Sequence, residues 1–145
     1  MRVNMKKILF TLLLLSLAAC TEEIPTTQFQ EWGEYSFRLE SRPPHIQPGM
    51  NEFLLVSNYK KRFRAYDLIV SYRMGPQGKW NQAIQDGHTG VYRKAMRVVD
   101  PDAEVLYVYV KQSKKYKLTE EPMEDHVLQF PLNYASSSST SKSGT

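Results

Sequence analysis

Residues 34–41 read EYSFRLES, and their alternation decides the fold class. Tyr35, Phe37 and Leu39 fall on one side of an extended chain; Glu34, Ser36, Arg38 and Glu40 fall on the other. Successive side chains of a strand point to opposite faces, so this spacing describes a strand with one apolar and one wet face. The pattern recurs. RFRAYDLIVSYRM (62–74) places Tyr66, Leu68, Val70, Tyr72 and Met74 on one face. HTGVYRKAMRVV (88–99) sets Tyr92, Met96 and Val98 against Arg93, Ala95 and Arg97. HVLQFPL (126–132) turns Leu128, Phe130 and Leu132 inward. Pro131 cannot donate to a ladder and predicts an edge position.

Three further strands complete the set. NEFLLVS (51–57) follows the breaker RPPHIQPG (42–49). KWNQAIQ (79–85) follows the turn GPQG (75–78) and precedes Asp86-Gly87, a two-residue hairpin signal. EVLYVYVK (104–111), after the turn DPDA (100–103), is apolar on both faces, as a central strand would be. About seven strands at short spacing, with no helix-period segment, predict an all-β antiparallel immunoglobulin-like sandwich. A small open barrel is the alternative. If the strands run antiparallel in succession, alternate connections lie at opposite ends. KKRFR (60–64), Asp86-Gly87 and KKYKLTEEPMED (114–125) then share one end, where the tether also enters the first strand, so this end is expected to face the membrane. RPPHIQPG, GPQG, DPDA and the C-terminal tail share the other.

The ends of the chain have a different composition. Arg2, Lys6 and Lys7 precede an apolar run, Ile8 to Leu17, broken only by Thr11 and Ser16. That run is shorter than the roughly 20 residues a bilayer core requires and suits a secretory signal. It closes on Leu17-Ala18-Ala19-Cys20, and Cys20 is the only cysteine. The motif resembles the lipobox of bacterial lipoproteins. The resemblance implies a signal peptide at 1–19, and Cys20 as the mature N-terminus, acylated on sulfur and amine. It implies membrane attachment through that lipid. Thr21, where an Asp would favour inner-membrane retention, implies the periplasmic face of the outer membrane. Residues 20–31 are expected as a lipidated tether, 32–134 as the sandwich, and 135–145, ASSSSTSKSGT, as a flexible tail.

Removing 1–19 takes three of the 19 Lys and Arg and none of the 15 Asp and Glu, leaving sixteen against fifteen. A near-neutral mature chain argues against nucleic acid as a partner. No cysteine remains for a disulfide, and no G-x-S-x-G elbow is present. No catalytic residue and no cofactor is expected, and the chain is read as a non-enzyme. Pro48, Gly49, Asn51 and Phe53, with Asp86, Gly87, Gly90, Val91 and Tyr92, resemble the YtkA-like and FixH-like envelope domains over residues 45–110. That likeness implies a small sandwich and assigns no site residue.

Two function classes follow. The first is a membrane-anchored envelope domain that supports an interaction or assembly with a protein partner. Its candidate contacts are Lys60, Lys61 and Lys114, and the aromatics Trp32, Trp80, Tyr107 and Tyr109. The alternative is a copper-handling module, because imidazole and thioether ligands suit Cu(I). His45, His88 and His126 and Met50, Met74, Met96 and Met123 are the available ligands, with His88 and His126 the pair to test.

Overall fold

The structure is a computed structural model that describes residues 28–119 and 123–133. The signal region, Cys20 and the Ser-rich tail lie outside the described residues. Ten strands form: β1 (Gln28–Trp32), β2 (Tyr35–Arg42), β3 (Gly49–Tyr59), β4 (Phe63–Arg64), β5 (Leu68–Met74), β6 (Asn81–Gln82), β7 (Ile84–Gln85), β8 (Val91–Val98), β9 (Val105–Gln112) and β10 (His126–Pro131). Every pairing is antiparallel. One sheet has the order β1-β2-β3-β8-β7, with β4 beside β3; the other has the order β10-β9-β5-β6. With β1 and the short β4 set aside, this is the strand order of an immunoglobulin-like sandwich.

The alternation seen in the sequence is the burial pattern of the strands. Tyr35, Phe37, Leu39, Phe53, Leu55, Tyr92, Val98, Leu128 and Phe130 point between the sheets and are almost fully buried. On β9, Leu106, Val108 and Val110 fill the core while Val105, Tyr107 and Tyr109 lie half-buried outside. β10 is an edge strand, as Pro131 requires. Without a disulfide, buried tyrosines join the layers by hydrogen bonds. The Tyr72 hydroxyl donates to Tyr92 O at 2.8 Å. The Tyr92 hydroxyl donates to Ala65 O at 2.9 Å and accepts from Leu68 N at 3.0 Å. Burial pushes both hydroxyls above the ordinary tyrosine range.

Three expectations are corrected. KWNQAIQ is not one strand. Asn81–Gln82 pair with β5 and Ile84–Gln85 pair with β8, so the chain changes sheets at Ala83, whose N–H still reaches Val70 O at 2.8 Å. Asp86-Gly87 does not make a two-residue hairpin. It opens a longer turn closed by Asp86 N to Val91 O, with Thr89 Oγ1 donating to Asp86 O. Residues 28–31, expected as tether, form most of β1. The inward positions of β1 are Gln28, Gln30 and Trp32, so the apolar alternation reaches only its last residue. The glutamine side-chain amides bridge to the other sheet instead: Gln28 Nε2 donates to Pro131 O at 2.7 Å, and Gln30 Nε2 donates to Gln129 O.

The loops divide as alternation predicts. Tyr35 pairs with Tyr59, Val56 with Val91, and Leu68 with Gln112. The turns after β3 and β7 and the loop after β9 therefore share one end. Arg42 pairs with Glu52, Gly49 with Val98, and Met74 with Leu106, which gathers RPPHIQPG, GPQG and DPDA at the opposite end.

Candidate functional site

The end carrying KKRFR, His88 and the 113–125 loop contains an open cleft of about 430 Å³, lined by Tyr59, Phe63, Arg64, Tyr66, His88 and Leu118. Each wall has a local cause. Lys60 and Lys61 sit at φ 49° and 58°, in the left-handed region, and reverse the chain between β3 and β4. Two non-glycine residues in that conformation cost roughly 1–2 kcal/mol each. The reversal places Phe63 on the rim, 56% exposed. Gly90, at φ 71°, brings the turn before β8 against the hairpin. A Cβ there would lie 2.7 Å from Ser57 O. Ser57 N donates to Gly90 O at 2.8 Å, and Ala65 N donates to Ser57 O at 3.0 Å.

The opposite wall is the loop after β9, and Asp67 holds it. Asp67 is fully buried. Its Oδ2 accepts from the Tyr35 hydroxyl at 2.6 Å and from Leu118 N at 3.0 Å, while its carbonyl accepts from Ser113 N at 2.6 Å. Its Oδ1 has no partner among the described residues. Burial and the neighbouring carboxylate push the Tyr35 hydroxyl well above the usual tyrosine range, so it stays a donor. Asp67 thereby seats Leu118 on the cleft floor and presents Tyr116, 40% exposed, beside His88. The His88 ring meets Tyr66 edge-on at 5.6 Å and Tyr116 at 5.4 Å.

Cations surround these rings. Lys60 pairs with Glu34 and Lys61 with Glu31, each at 3.8 Å. Arg62, Arg64, Lys114, Lys115 and Lys117 make no ion pair among the described residues. The Lys115 ammonium lies 5.2 Å from the centre of the Tyr116 ring. Noncovalent recognition of an apolar group flanked by anionic groups suits this set of side chains.

The other candidates fall elsewhere. Trp80, Tyr107 and Tyr109 meet on the outer face of the four-stranded sheet. There the Arg73 guanidinium sits 4.2 Å from the Trp80 ring centre and 5.1 Å from that of Tyr107. Trp80 packs on Tyr109 at 5.8 Å, and Asp125 accepts a hydrogen bond from the Tyr109 hydroxyl, which pushes that hydroxyl's pKa up. Trp32 stacks between Tyr35 at 5.5 Å and His126 at 5.9 Å. His88 and His126 thus belong to separate aromatic stacks. Met96 is core, Met74 and Met123 pack against it, and Met50 is exposed. Among the described residues no three His, Cys, Asp or Glu side chains converge on a metal position. Asp67 was not a candidate from the sequence. Its one signal is a carboxylate set inside the apolar run AYDLIV (65–70).

No family model matches the chain, and no curated protein matches it. A similar solved structure is the crystal structure of a Br derivative of BhCBM56. It aligns over 71% of this chain and 97% of that one, at 8% identity and a TM-score of 0.43. A likeness of that size carries no functional argument.

Proposed function

We propose that this chain is a lipid-anchored domain of the cell envelope with a non-enzymatic role, and that it holds a protein partner in the cleft at the KKRFR end. The observation that carries the reading is the pair Phe63 and Tyr116, left 56% and 40% exposed on walls that buried groups hold in place. Aromatic anchors in a preformed concavity, rimmed by charge, are the usual centre of binding energy in an interface. The cations that make no ion pair among the described residues favour a partner segment rich in carboxylates, by raising its encounter rate and selecting against basic surfaces.

The anchoring half rests on Leu17-Ala18-Ala19-Cys20. More than one acyl chain at Cys20 makes attachment persistent, because a single chain binds only marginally. The periplasmic face of the outer membrane is the proposed location.

Two experiments test the two halves. A photoreactive residue at position 63 in cells should give one adduct of defined mass. Lys60→Glu with Lys61→Glu and Lys114→Glu should abolish it, and a probe at position 127 should not produce it. Equal adducts from both positions would reduce the cleft to a solvated end. For the anchor, Cys20→Ser should abolish fatty-acid labelling and block maturation. Retained labelling would overturn it.

A further inference from the structure

The direction of β1 decides which end of the sandwich meets the membrane. β1 enters at Gln28, opposite Leu39, and runs to Trp32, opposite Tyr35 at the cleft end. β1 therefore starts beside the middle of β2, with its N-terminal side directed toward the end opposite the cleft. The last strand finishes at that same end: Pro131 pairs with Val105, and Leu132 N donates to Glu104 O at 3.0 Å. Had β2 been the first strand, the anchor would have entered beside the cleft. One added antiparallel strand reverses it.

The outer sheet face at that end carries exposed apolar and cationic side chains, with the carboxylates of Asp100, Asp102 and Glu104 in the adjoining loop. Met50 and Val99, 59% and 71% exposed, lie on the outer face of the larger sheet where β3 and β8 finish their pairing. Arg97, exposed, is opposite Met50 in the register. Arg42 stands beside them, its side chain 69% exposed and 3.6 Å from Glu52. Apolar side chains that water would reject, flanked by guanidinium groups able to pair with phosphates, are the ingredients of an interfacial contact.

We infer that this end rests on the bilayer, with Met50 and Val99 in the headgroup region of anionic phospholipid and Arg42 and Arg97 on its phosphates. The cleft then faces away, toward the periplasm. The inference rests on acylation of Cys20. Eight residue steps separate Cys20 from Gln28, few enough to keep the start of β1 near the lipid.

The test uses the full acylated chain in vesicles of phosphatidylethanolamine with phosphatidylglycerol. With Cys20 acylated, a Val99→Cys or Lys61→Cys substitution supplies the one free thiol for an environment-sensitive fluorophore. The label at 99 should brighten about twofold on vesicle binding and be quenched by headgroup-level quenchers, while the label at 61 stays as in water. Arg42→Glu with Arg97→Glu should reduce that quenching on anionic vesicles and leave it unchanged on neutral ones. A chain that floats with the vesicles but shows quenching at 61, or at neither position, overturns the orientation alone. A chain that does not float, its Cys20 still reactive to maleimide, overturns the acylation and the orientation together.

Discussion

The two ends of the sandwich each rely on one buried polar side chain, and the two are built in opposite ways. At the terminus end, Asn51 donates to Gln47 O at 2.7 Å and to Gly49 O at 3.1 Å, and accepts from Gln47 N at 3.2 Å. All of its partners lie within four residues, and the group is neutral. At the cleft end, Asp67 reaches Tyr35 and Leu118, 32 and 51 residues away, and leaves one oxygen without a partner among the described residues. A local amide makes a loop that the chain could form on its own. A long-range carboxylate makes a loop that exists only when both sheets are assembled. The cleft is thus a product of the whole fold, and burial of a carboxylate is part of its cost.

The largest expected effect is alkaline. Tyr35, Tyr72 and Tyr92 are neutral in the fold with their pKa raised, mainly by burial, above the ordinary 10.0. Their contribution is complete below pH 10 and falls as pH rises above it, because the unfolded chain then loses protons that the folded one keeps. Denaturant melts should stay level from pH 8 to about pH 9.5 and then lose about 1.4 kcal/mol in total for each such tyrosine by pH 11. Tyr72→Phe should lessen the slope; an unchanged slope breaks the assignment.

Asp67→Ala comes next. It strips acceptors from the Tyr35 hydroxyl and Leu118 N, with an expected loss of about 3 kcal/mol in urea unfolding. Amide exchange should speed up across 113–118. A neutral result would mean that relief of the unpartnered oxygen offsets the lost bonds. Asn51→Ala should cost less, about 1–2 kcal/mol, with chemical-shift changes confined to the loop before β3. Changes reaching the cleft would refute the local character claimed for that end. The smallest effect has the opposite sign. Lys60→Asn with Lys61→Gly should stabilise the domain by about 1 kcal/mol, because these residues suit a left-handed turn. The same pair should weaken the adduct formed from position 63. Stabilisation with an undiminished adduct would free both lysines from the interface.

The core was legible because its signal is local. Tyr35, Phe37 and Leu39 alternate within five residues, and so do Leu128, Phe130 and Leu132. β1 was not legible. Its inward glutamines satisfy backbone carbonyls of the other sheet, which no periodicity of apolar residues registers. The sheet change at Ala83 was missed because seven residues of strand character look alike whether they stay in one sheet or cross between two. For the cleft, the clustering of KKRFR with the loop after β9 followed from strand alternation. The role of Asp67 did not, since its partners are set by packing.

By itself, then, the sequence determined the fold class, the inward faces of β2, β5, β8 and β10, the division of loops between two ends, and the lipobox-like motif at Cys20. Each depends on residues a few positions apart, within reach of strand geometry and of short-range motifs. The tertiary structure alone decided that a further strand precedes β2, that this strand runs toward the cleft, and that a buried carboxylate props the cleft open. These depend on which edges meet and which polar groups find partners across the sandwich. Those contacts join residues from 32 to 103 positions apart, a separation at which no local pattern constrains the answer.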